Sequence, residues 1–123
     1  MVIDTSVCIE FLRSRDKTQT RLFEIANQPE LMISSLTVFE LYMGTTDEQK
    51  RNDVVLLLSG LEIVPFDSMI AEKAGDLYRF LKKNNQLIGV PDLLIASTAL
   101  VLNHPILTIN KGHFSRIPDL VVL

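Results

Sequence analysis

The chain has 123 residues, of which 47% are hydrophobic, and a formal net charge of −3 at pH 7. This length supports one hydrophobic core and is too short for two, so residues 1–123 are predicted to form a single domain. The acidic balance excludes a polycation that binds nucleic acid through its overall charge. No apolar stretch reaches the roughly 18 to 20 residues of a membrane span, and the start, MVIDTSVCIEF, lacks the pattern of a secretory signal. We therefore expect a cytoplasmic protein without a membrane contact.

Strand and helix patterns alternate along the chain. The first half predicts a strand at MVID, helices from about Ser6 and through TQTRLFEIANQ, a strand at ELMIS, and a helix at SSLTVFELYMG that Ser35 caps and Gly44 ends. The second half predicts a helix at TDEQKRNDVVLLLSG, a strand at LEIVPF, helices from Asp67 to about Asn84 and at GVPDLLIASTALVLN, and strands at PILTI and LVVL. This order predicts an α/β domain whose central, mainly parallel sheet of about five strands has helices on both faces. In such sheets ligands bind beyond the carboxyl ends of the strands.

Three carboxylates stand alone in apolar segments. Asp4 is the only charged residue among the first nine, Glu40 the only one from Leu31 to Thr46, and Asp92 the only one from Asn84 to Asn110. Ionised carboxylates are rarely buried unless they are paired or hold a metal. Each of the three is therefore a candidate site residue.

The helix that contains Glu40 has two candidate buried faces. Leu36, Phe39, Glu40 and Met43 follow the i, i+3, i+4, i+7 spacing of one helix face, which predicts an acid among large apolar side chains. The alternative is that Val38, Leu41 and Tyr42 face the core and Glu40 lies at the margin of that face. So apolar a helix leaves both faces open.

Asp4 and Asp92 each stand at the start of a predicted helix. An acid at the position of Asp92 is also expected for capping or for the helix dipole alone. Asp4 is followed by Thr5 and Ser6, either of which can cap the helix, so the acid is not needed for that purpose.

The carboxyl edge of the sheet is predicted to gather these acids. Asp4 and Asp92 would lie at that edge and Glu40 would lean over it. Three carboxylates there would repel one another unless a cation neutralised them. Oxygen ligands without Cys or His favour Mg²⁺ or Mn²⁺, and such a site serves phosphoryl transfer.

The segment TINKGHF follows the strand PILTI and reaches the same edge. Thr108 would add a hydroxyl to the pocket, and Asn110 could supply a carbonyl oxygen or orient a water but no negative charge. A plain turn residue is the alternative for Asn110. Lys111 and Arg116 lie close behind, and His113 is interpreted as a surface or phosphate-contacting group rather than a general base.

Basic residues are concentrated early in the chain. Arg13, Arg15, Lys17 and Arg21 fall within nine positions. They form either an edge that contacts phosphates or an ordinary solvated face.

Four stretches together resemble a known family. VIDTSVCIEFLR, SSLTVFELYMG, GVPDLLIASTAL and LTINKGHFSRIPDLVVL resemble, in order and spacing, the signature stretches of PIN-domain ribonucleases, and most closely those of VapC-type toxins of VapBC toxin–antitoxin pairs. The resemblance covers the whole chain. It implies a PIN-like three-layer fold, one or two Mg²⁺ or Mn²⁺ ions at the acidic edge, and endonucleolytic cleavage of RNA. It also implies a VapB-like antitoxin whose C-terminal segment covers the site.

The resemblance carries over residue by residue. Asp4, Glu40 and Asp92 match the three motif acids, which implies that they are the metal ligands and catalytic residues. Thr5 or Ser6, and Ser97, fall where the family often has pocket hydroxyls. Asn110 stands where many members have an acid, so neither a fourth acidic ligand nor a tightly held second metal is implied. The residues expected to hold the RNA backbone are Arg13, Arg15, Lys111 and Arg116.

Other functions remain open from the residues. A PIN-like module that binds RNA or a partner without cutting is one alternative. A phospho-accepting signalling domain would use Asp67, but it needs an acid pair at the end of the first strand, where only Asp4 stands. A haloacid-dehalogenase-type phosphatase needs a second acid at the position of Ser6. A homodimer is also left open, since the apolar helix DVVLLLSGL would suit a partner surface.

Overall fold

The computed structural model describes all residues from Met1 to Leu123. Its strands are β1 (Val2–Ile3), β2 (Met32–Ser34), β3 (Glu62–Val64) and β4 (Ile106–Leu107). Its helices are α1 (Thr5–Arg13), α2 (Arg21–Ile25), α3 (Ser35–Met43), α4 (Glu48–Leu58), α5 (Ser68–Lys83), α6 (Val90–Leu102) and α7 (Lys111–Phe114). A short 3₁₀ turn at Lys17–Gln19 lies between α1 and α2. None of the helices is both long and apolar enough to cross a bilayer.

The four strands form one parallel sheet in the order β3-β2-β1-β4. The fifth strand predicted at LVVL is reduced to a single parallel bridge between Val122 and Ile106. Two backbone hydrogen bonds hold it, from the Ile106 N–H to Val121 and from the Leu123 N–H to Ile106. The preceding Asp119 has a positive φ of 65°, so the chain turns sharply and joins the sheet only at its last residues. The sheet therefore has four strands instead of about five.

Adjacent residues of β1 explain the three layers. Val2 packs in a cluster with buried residues of α5, α6 and α7, whereas Ile3 packs in a second cluster with residues of α1 to α4. Both side chains are fully buried. Because successive side chains of a strand point to opposite faces, the sheet is covered on both sides. The expected α/β architecture is confirmed.

Helix ends differ from the prediction at two places. The stretch TQTRLFEIANQ is a 3₁₀ turn and a short α2, because the buried Thr20 ends the turn and accepts a hydrogen bond from the Phe23 N–H. The cap of α3 is Ser34 instead of Ser35, and its hydroxyl accepts from the Leu36 N–H at 3.1 Å. Gly44 ends α3 as predicted.

Helix α5 begins and ends where the sequence indicates. Asp67 is its N-cap and accepts a hydrogen bond from the Ile70 N–H at 2.9 Å, and Asn84 is its C-cap. Four apolar residues at helical spacing, Ile70, Ala74, Leu77 and Leu81, are buried, whereas Tyr78 is 39% exposed. Asp67 therefore has a structural role at the start of a helix.

Candidate active site

Asp4 lies directly after β1 and is almost completely buried, with 2% of its surface exposed. Its Oδ2 atom accepts hydrogen bonds from the hydroxyl of Ser6 at 2.6 Å and from the hydroxyl of Thr108 at 2.8 Å. No fully buried side-chain oxygen lacks a hydrogen-bond partner. Because Oδ1 accepts no hydrogen bond from the protein, the small exposed part of Asp4 includes this atom.

The two hydroxyl groups that hold Asp4 are themselves held by the backbone after β4. The hydroxyl of Ser6 accepts from the Ile109 N–H at 3.2 Å, and the hydroxyl of Thr108 accepts from the Asn110 N–H at 3.0 Å. Each hydroxyl thus accepts a hydrogen bond from a backbone N–H and donates one to the carboxylate of Asp4. Hydrogen bonds to an ionised carboxylate are stronger than neutral ones, so this arrangement fixes Oδ2 in place.

Capping of α1 does not occur as predicted. Neither Thr5 nor Ser6 caps the helix, and Asp4, which occupies the N-cap position, makes no side-chain cap hydrogen bond either. The hydroxyl of Ser6 bonds to Asp4, and the hydroxyl of Thr5 bonds to Glu40. The conclusion that Asp4 is free of a capping role is therefore right, although the expected substitute caps have other partners.

Glu40 is joined to Asp4 through a single residue. The hydroxyl of Thr5 donates to the Oε2 atom of Glu40 at 2.5 Å and lies 3.0 Å from the hydroxyl of Thr37. Since Thr5 follows Asp4 in the chain, the first two carboxylates lie on either side of it. Oε1 of Glu40 accepts no hydrogen bond from the protein.

Of the two faces that the sequence leaves open for the helix of Glu40, the one that groups it with Phe39 and Met43 is wrong. Phe39 and Met43 are 59% and 66% exposed, whereas Leu41 is buried and Tyr42 packs against the same cluster. Helix α3 therefore turns the alternative face to the core and leaves Glu40 half-buried at its margin. The hydrogen bond from the Thr5 hydroxyl holds the Glu40 side chain at this margin.

Asp92 lies in the first turn of α6 and contacts one side chain. Its Oδ2 atom is 3.0 Å from Nδ1 of His113, a residue of α7. The start of α6 lies at the carboxyl edge because the helix leads into the amino end of β4. The sequence interpretation missed this role of His113; the signal was the apolar Phe114 beside it, which is fully buried and anchors α7.

Two other predicted site residues do not hydrogen-bond to these acids through their side chains. The side chain of Asn110 makes no hydrogen bond, and only its backbone N–H takes part, through Thr108. Ser97 is fully buried and donates to the carbonyl of Leu93 within α6. The pocket hydroxyls that contact carboxylates are those of Thr5, Ser6 and Thr108.

The three carboxylates surround the edge without forming a tight ligand set. No group of three or more His, Cys, Asp or Glu side chains is close enough to hold a metal ion by direct contact. Asp4 and Glu40 are connected through Thr5, and Asp92 is connected to the same edge through α7. The three carboxylates thus lie along the same edge of the sheet but do not meet at one point, as the sequence had predicted they would.

The basic run divides into structural and unpaired members. Lys17 donates to the carbonyls of Phe11 and Leu12 at the end of α1, and Arg21 forms an ion pair with Glu10. Arg13 and Arg15 are exposed and make no ion pair. Lysine and arginine that are already bonded to the protein are less available to phosphate.

Arg13 is the basic residue of this run that shares a cavity with one of the site carboxylates. It lines a cavity of about 190 Å³ together with Glu40 and Lys50. Lys111 and Arg116 are exposed on the other side of the rim, and Arg116 has a 3.4 Å hydrogen bond to the carbonyl of Leu87. The lining of this cavity therefore combines two positively charged side chains with one carboxylate of the site.

The single cysteine plays no part in the site chemistry. Cys8 is fully buried, one helical turn after Asp4. Burial, and next the negative charge of Asp4, raise the pKa of this thiol from its ordinary value of 9.0 to about 12. The thiol therefore stays protonated near neutral pH and is not a nucleophile.

Comparison with known protein families gives a match along nearly the whole chain. The model of the PIN domain family matches residues 1–120. The chain belongs to the PIN domain family. Ribonuclease VapC1 of Methanocaldococcus jannaschii is 34% identical over 119 residues, which cover 97% of this chain and 82% of that protein. Ribonuclease VapC of Rickettsia bellii is 34% identical over 130 residues, covering 100% of this PIN domain and 94% of that protein.

Solved structures agree with the family assignment. The VapBC2 complex from Rickettsia felis, bound to a DNA fragment from its promoter, contains a chain with a TM-score of 0.88 and 29% identity to this PIN domain. The match covers 99% of this chain and 96% of that one. VapBC-1 from nontypeable Haemophilus influenzae gives a TM-score of 0.83 at 29% identity, covering 99% and 95% of the two chains. The PIN-like fold expected from the sequence is confirmed.

Proposed function

We propose that this PIN domain is a metal-dependent endoribonuclease and the toxin component of a VapBC toxin–antitoxin pair. The observation that carries the proposal is the state of Asp4: one oxygen is fixed by two hydroxyls and the other is left without a protein partner. A second carboxylate, that of Glu40, is positioned by the hydroxyl of Thr5, the residue that follows Asp4. Relatives that match over nearly the full length are ribonucleases of the VapC type.

The donor set suits Mg²⁺ or Mn²⁺. Asp4, Glu40 and Asp92 each have one carboxylate oxygen that accepts no hydrogen bond from the protein. Mg²⁺ prefers oxygen ligands, keeps several waters and is usually bound through only one or two carboxylates, so a tight cluster of three is not required. These three residues would hold one or two ions. When bound, such an ion lowers the pKa of a coordinated water and stabilises charge on the phosphate.

The protein groups around the acids position them and the substrate. Ser6 and Thr108 hold Oδ2 of Asp4, and Thr5 holds Oε2 of Glu40, so that the other oxygen of each carboxylate remains available. Arg13 lies in the cavity beside Glu40, where its guanidinium could contact an RNA phosphate. Arg15, Lys111 and Arg116 would extend that contact along the backbone.

An apolar groove supports a VapB-like antitoxin as the partner. The groove has a volume of about 510 Å³, and nine of its twelve lining residues are hydrophobic, among them Phe11, Phe23 and Leu56. Leu56 on helix α4 is 75% exposed, which supports this helix as part of a partner surface. The groove shares Leu12 and Asp53 with the cavity that contains Glu40. A chain lying in the groove could therefore continue to the acidic edge and cover it.

The nuclease proposal is tested with purified protein and a single-stranded RNA. We expect cleavage with Mg²⁺ or Mn²⁺, none with excess EDTA, and none by Asp4→Asn protein with an unchanged circular dichroism spectrum. Full activity of Asp4→Asn, or activity in EDTA, would exclude this site. An inactive wild-type protein that still binds RNA would favour the non-cleaving module instead.

The antitoxin proposal is tested separately by co-expression with the product of a short neighbouring gene. Leu56→Glu should prevent copurification of the two proteins and leave RNA cleavage unchanged, because Leu56 lies in the groove and outside the acidic edge. Met69→Glu is the matched control, since Met69 is also exposed, at 65%, and does not line the groove. Copurification with the Leu56→Glu variant would contradict the assignment of the groove.

A further inference from the structure

We propose that His113 is the positioning residue for Asp92, and that it orients this carboxylate for metal binding. The inference rests on the proposed function, because it concerns one of the three acids assigned to the metal. The sequence predicts Asn110 for the fourth site position and a surface or phosphate-contacting role for His113, whereas the structure places the side chain of His113 on a site carboxylate. No other side chain hydrogen-bonds to Asp92.

The contact has a defined direction. An ionised carboxylate only accepts hydrogen bonds, so the 3.0 Å interaction with Oδ2 of Asp92 requires a proton on Nδ1 of His113. That proton is present in the imidazolium and in the Nδ1–H neutral form, so the contact does not depend on the charge of the ring. His113 thereby occupies one oxygen of Asp92 and leaves Oδ1 for another ligand.

The backbone that carries His113 is fixed on both sides. Phe114 is fully buried in the cluster that also contains Leu93, the residue after Asp92. At the other end, the Asn110 N–H donates to the hydroxyl of Thr108, which itself donates to Asp4. Residues 108–114 therefore provide a hydrogen-bond donor to Asp4 and another to Asp92. A carboxylate held in this way loses less orientational freedom when it binds a cation.

His113 can be changed without disturbing the core. Its side chain is 54% exposed, and that of Asp92 is 25% exposed. Asparagine places an amide N–H near the position of Nδ1, whereas glutamine places it one carbon further out. Comparison of His113→Asn with His113→Gln therefore tests whether the hydrogen-bond donor must lie at the position of Nδ1. Both variants are polar, but only asparagine has its N–H there.

The experiment is titration of Mn²⁺ into the metal-free protein by calorimetry, which requires no RNA and no catalysis. We expect His113→Ala and His113→Gln to weaken Mn²⁺ binding by about 10- to 100-fold, the range for loss of a partner of a metal ligand. His113→Asn should bind within a few-fold of wild type. In the Asp92→Asn background, His113→Ala should have no additional effect. His104→Ala, which changes the only other histidine, is the matched control, since His104 lines a cavity away from these acids.

The outcomes separate the two proposals. Wild-type affinity in His113→Ala, or equal losses in His113→Asn and His113→Gln, would overturn the role of His113 while leaving the nuclease proposal intact. Mn²⁺ binding without RNA cleavage by the wild type would contradict the nuclease proposal alone. Absence of Mn²⁺ binding by the wild type would contradict both. In ¹⁵N NMR at alkaline pH, neutral His113 should be the Nδ1–H tautomer; the Nε2–H tautomer would also overturn the inference.

Discussion

The hydroxyl of Thr108 donates to Oδ2 of Asp4 at 2.8 Å, joining two residues that lie 104 positions apart in the chain. Both residues are buried, and each follows one strand of the adjacent pair β1 and β4. The parallel pairing of these strands brings their carboxyl ends together. The position of the Asp4 carboxylate is therefore determined by β4, which carries Thr108, as much as by β1.

Thr108→Val should lower both stability and RNA cleavage. The change keeps the shape of the side chain but removes a donor to Asp4 and the acceptor of the Asn110 N–H, at a cost of about 1–3 kcal/mol in the free energy of unfolding. Urea unfolding measures the first effect and an RNA cleavage assay the second. Thr98→Val is the matched control, because Thr98 is equally buried but donates only to Leu94 in its own helix. Equal cleavage by the two variants would contradict a special role of Thr108.

Thr5→Val should reduce cleavage without unfolding the protein. The substitution removes the donor to Oε2 of Glu40 and leaves that carboxylate free to rotate, with an expected loss of about 10- to 100-fold in activity. Thr5→Ser retains the hydroxyl and should keep most of the activity. The measurement is the initial rate of RNA cleavage at saturating Mn²⁺. A Thr5→Ser variant as poor as Thr5→Val would show that packing of the methyl group matters more than the hydrogen bond.

Arg13→Ala should weaken RNA binding and reduce its dependence on salt. Loss of one phosphate contact to a single strand lowers the slope of log K against log salt by about 0.7. Binding is measured by fluorescence anisotropy in the Asp4→Asn background, in which the RNA stays intact. Arg79→Ala is the control, because Arg79 is exposed and pairs with Asp76 on α5. An unchanged slope for Arg13→Ala would place the RNA elsewhere.

Cys8 should make the fold less stable in alkali. Its pKa is raised by burial and by Asp4 to about 12 in the folded protein, against 9.0 for an ordinary thiol. Between these two values the unfolded chain loses the proton and the folded chain keeps it, so the free energy of unfolding falls as the pH rises from 9.0 towards 12. Urea unfolding at several pH values should show a smaller decline for Cys8→Ala. The thiol should also resist disulfide reagents until the protein unfolds, and rapid labelling of the folded protein would contradict its burial.

The fold and the three acids could be predicted from local patterns. Alternation of strands and helices gave the parallel sheet, and the isolation of Asp4, Glu40 and Asp92 in apolar segments identified the candidate carboxylates. These features depend on neighbours in the sequence, which periodicity and composition describe directly. Val2 and Ile3 lie in opposite layers because successive side chains of a strand point to opposite faces of the sheet.

The partners of the acids could not be predicted in the same way. The sequence predicts Thr5 or Ser6 as the cap of α1, but the helix already begins at Thr5, so Asp4 occupies the N-cap position. The two hydroxyls instead donate to carboxylates that are close in space. The buried face of α3 depends on its packing against α1, which helix periodicity alone does not determine. The contact between Asp92 and His113 requires the burial of Phe114 in the core. Each of these outcomes is decided by tertiary structure.

The most direct test of the account asks whether Asp4, Glu40 and Asp92 act as one unit. RNA cleavage with Mn²⁺ is measured for Asp4→Asn, Glu40→Gln, Asp92→Asn and the triple variant, each checked for native circular dichroism. Residues that act together show strongly non-additive losses, so each single variant should lose nearly as much activity as the triple. A Glu40→Gln or Asp92→Asn variant that cleaves RNA at close to the wild-type rate would contradict the proposed site.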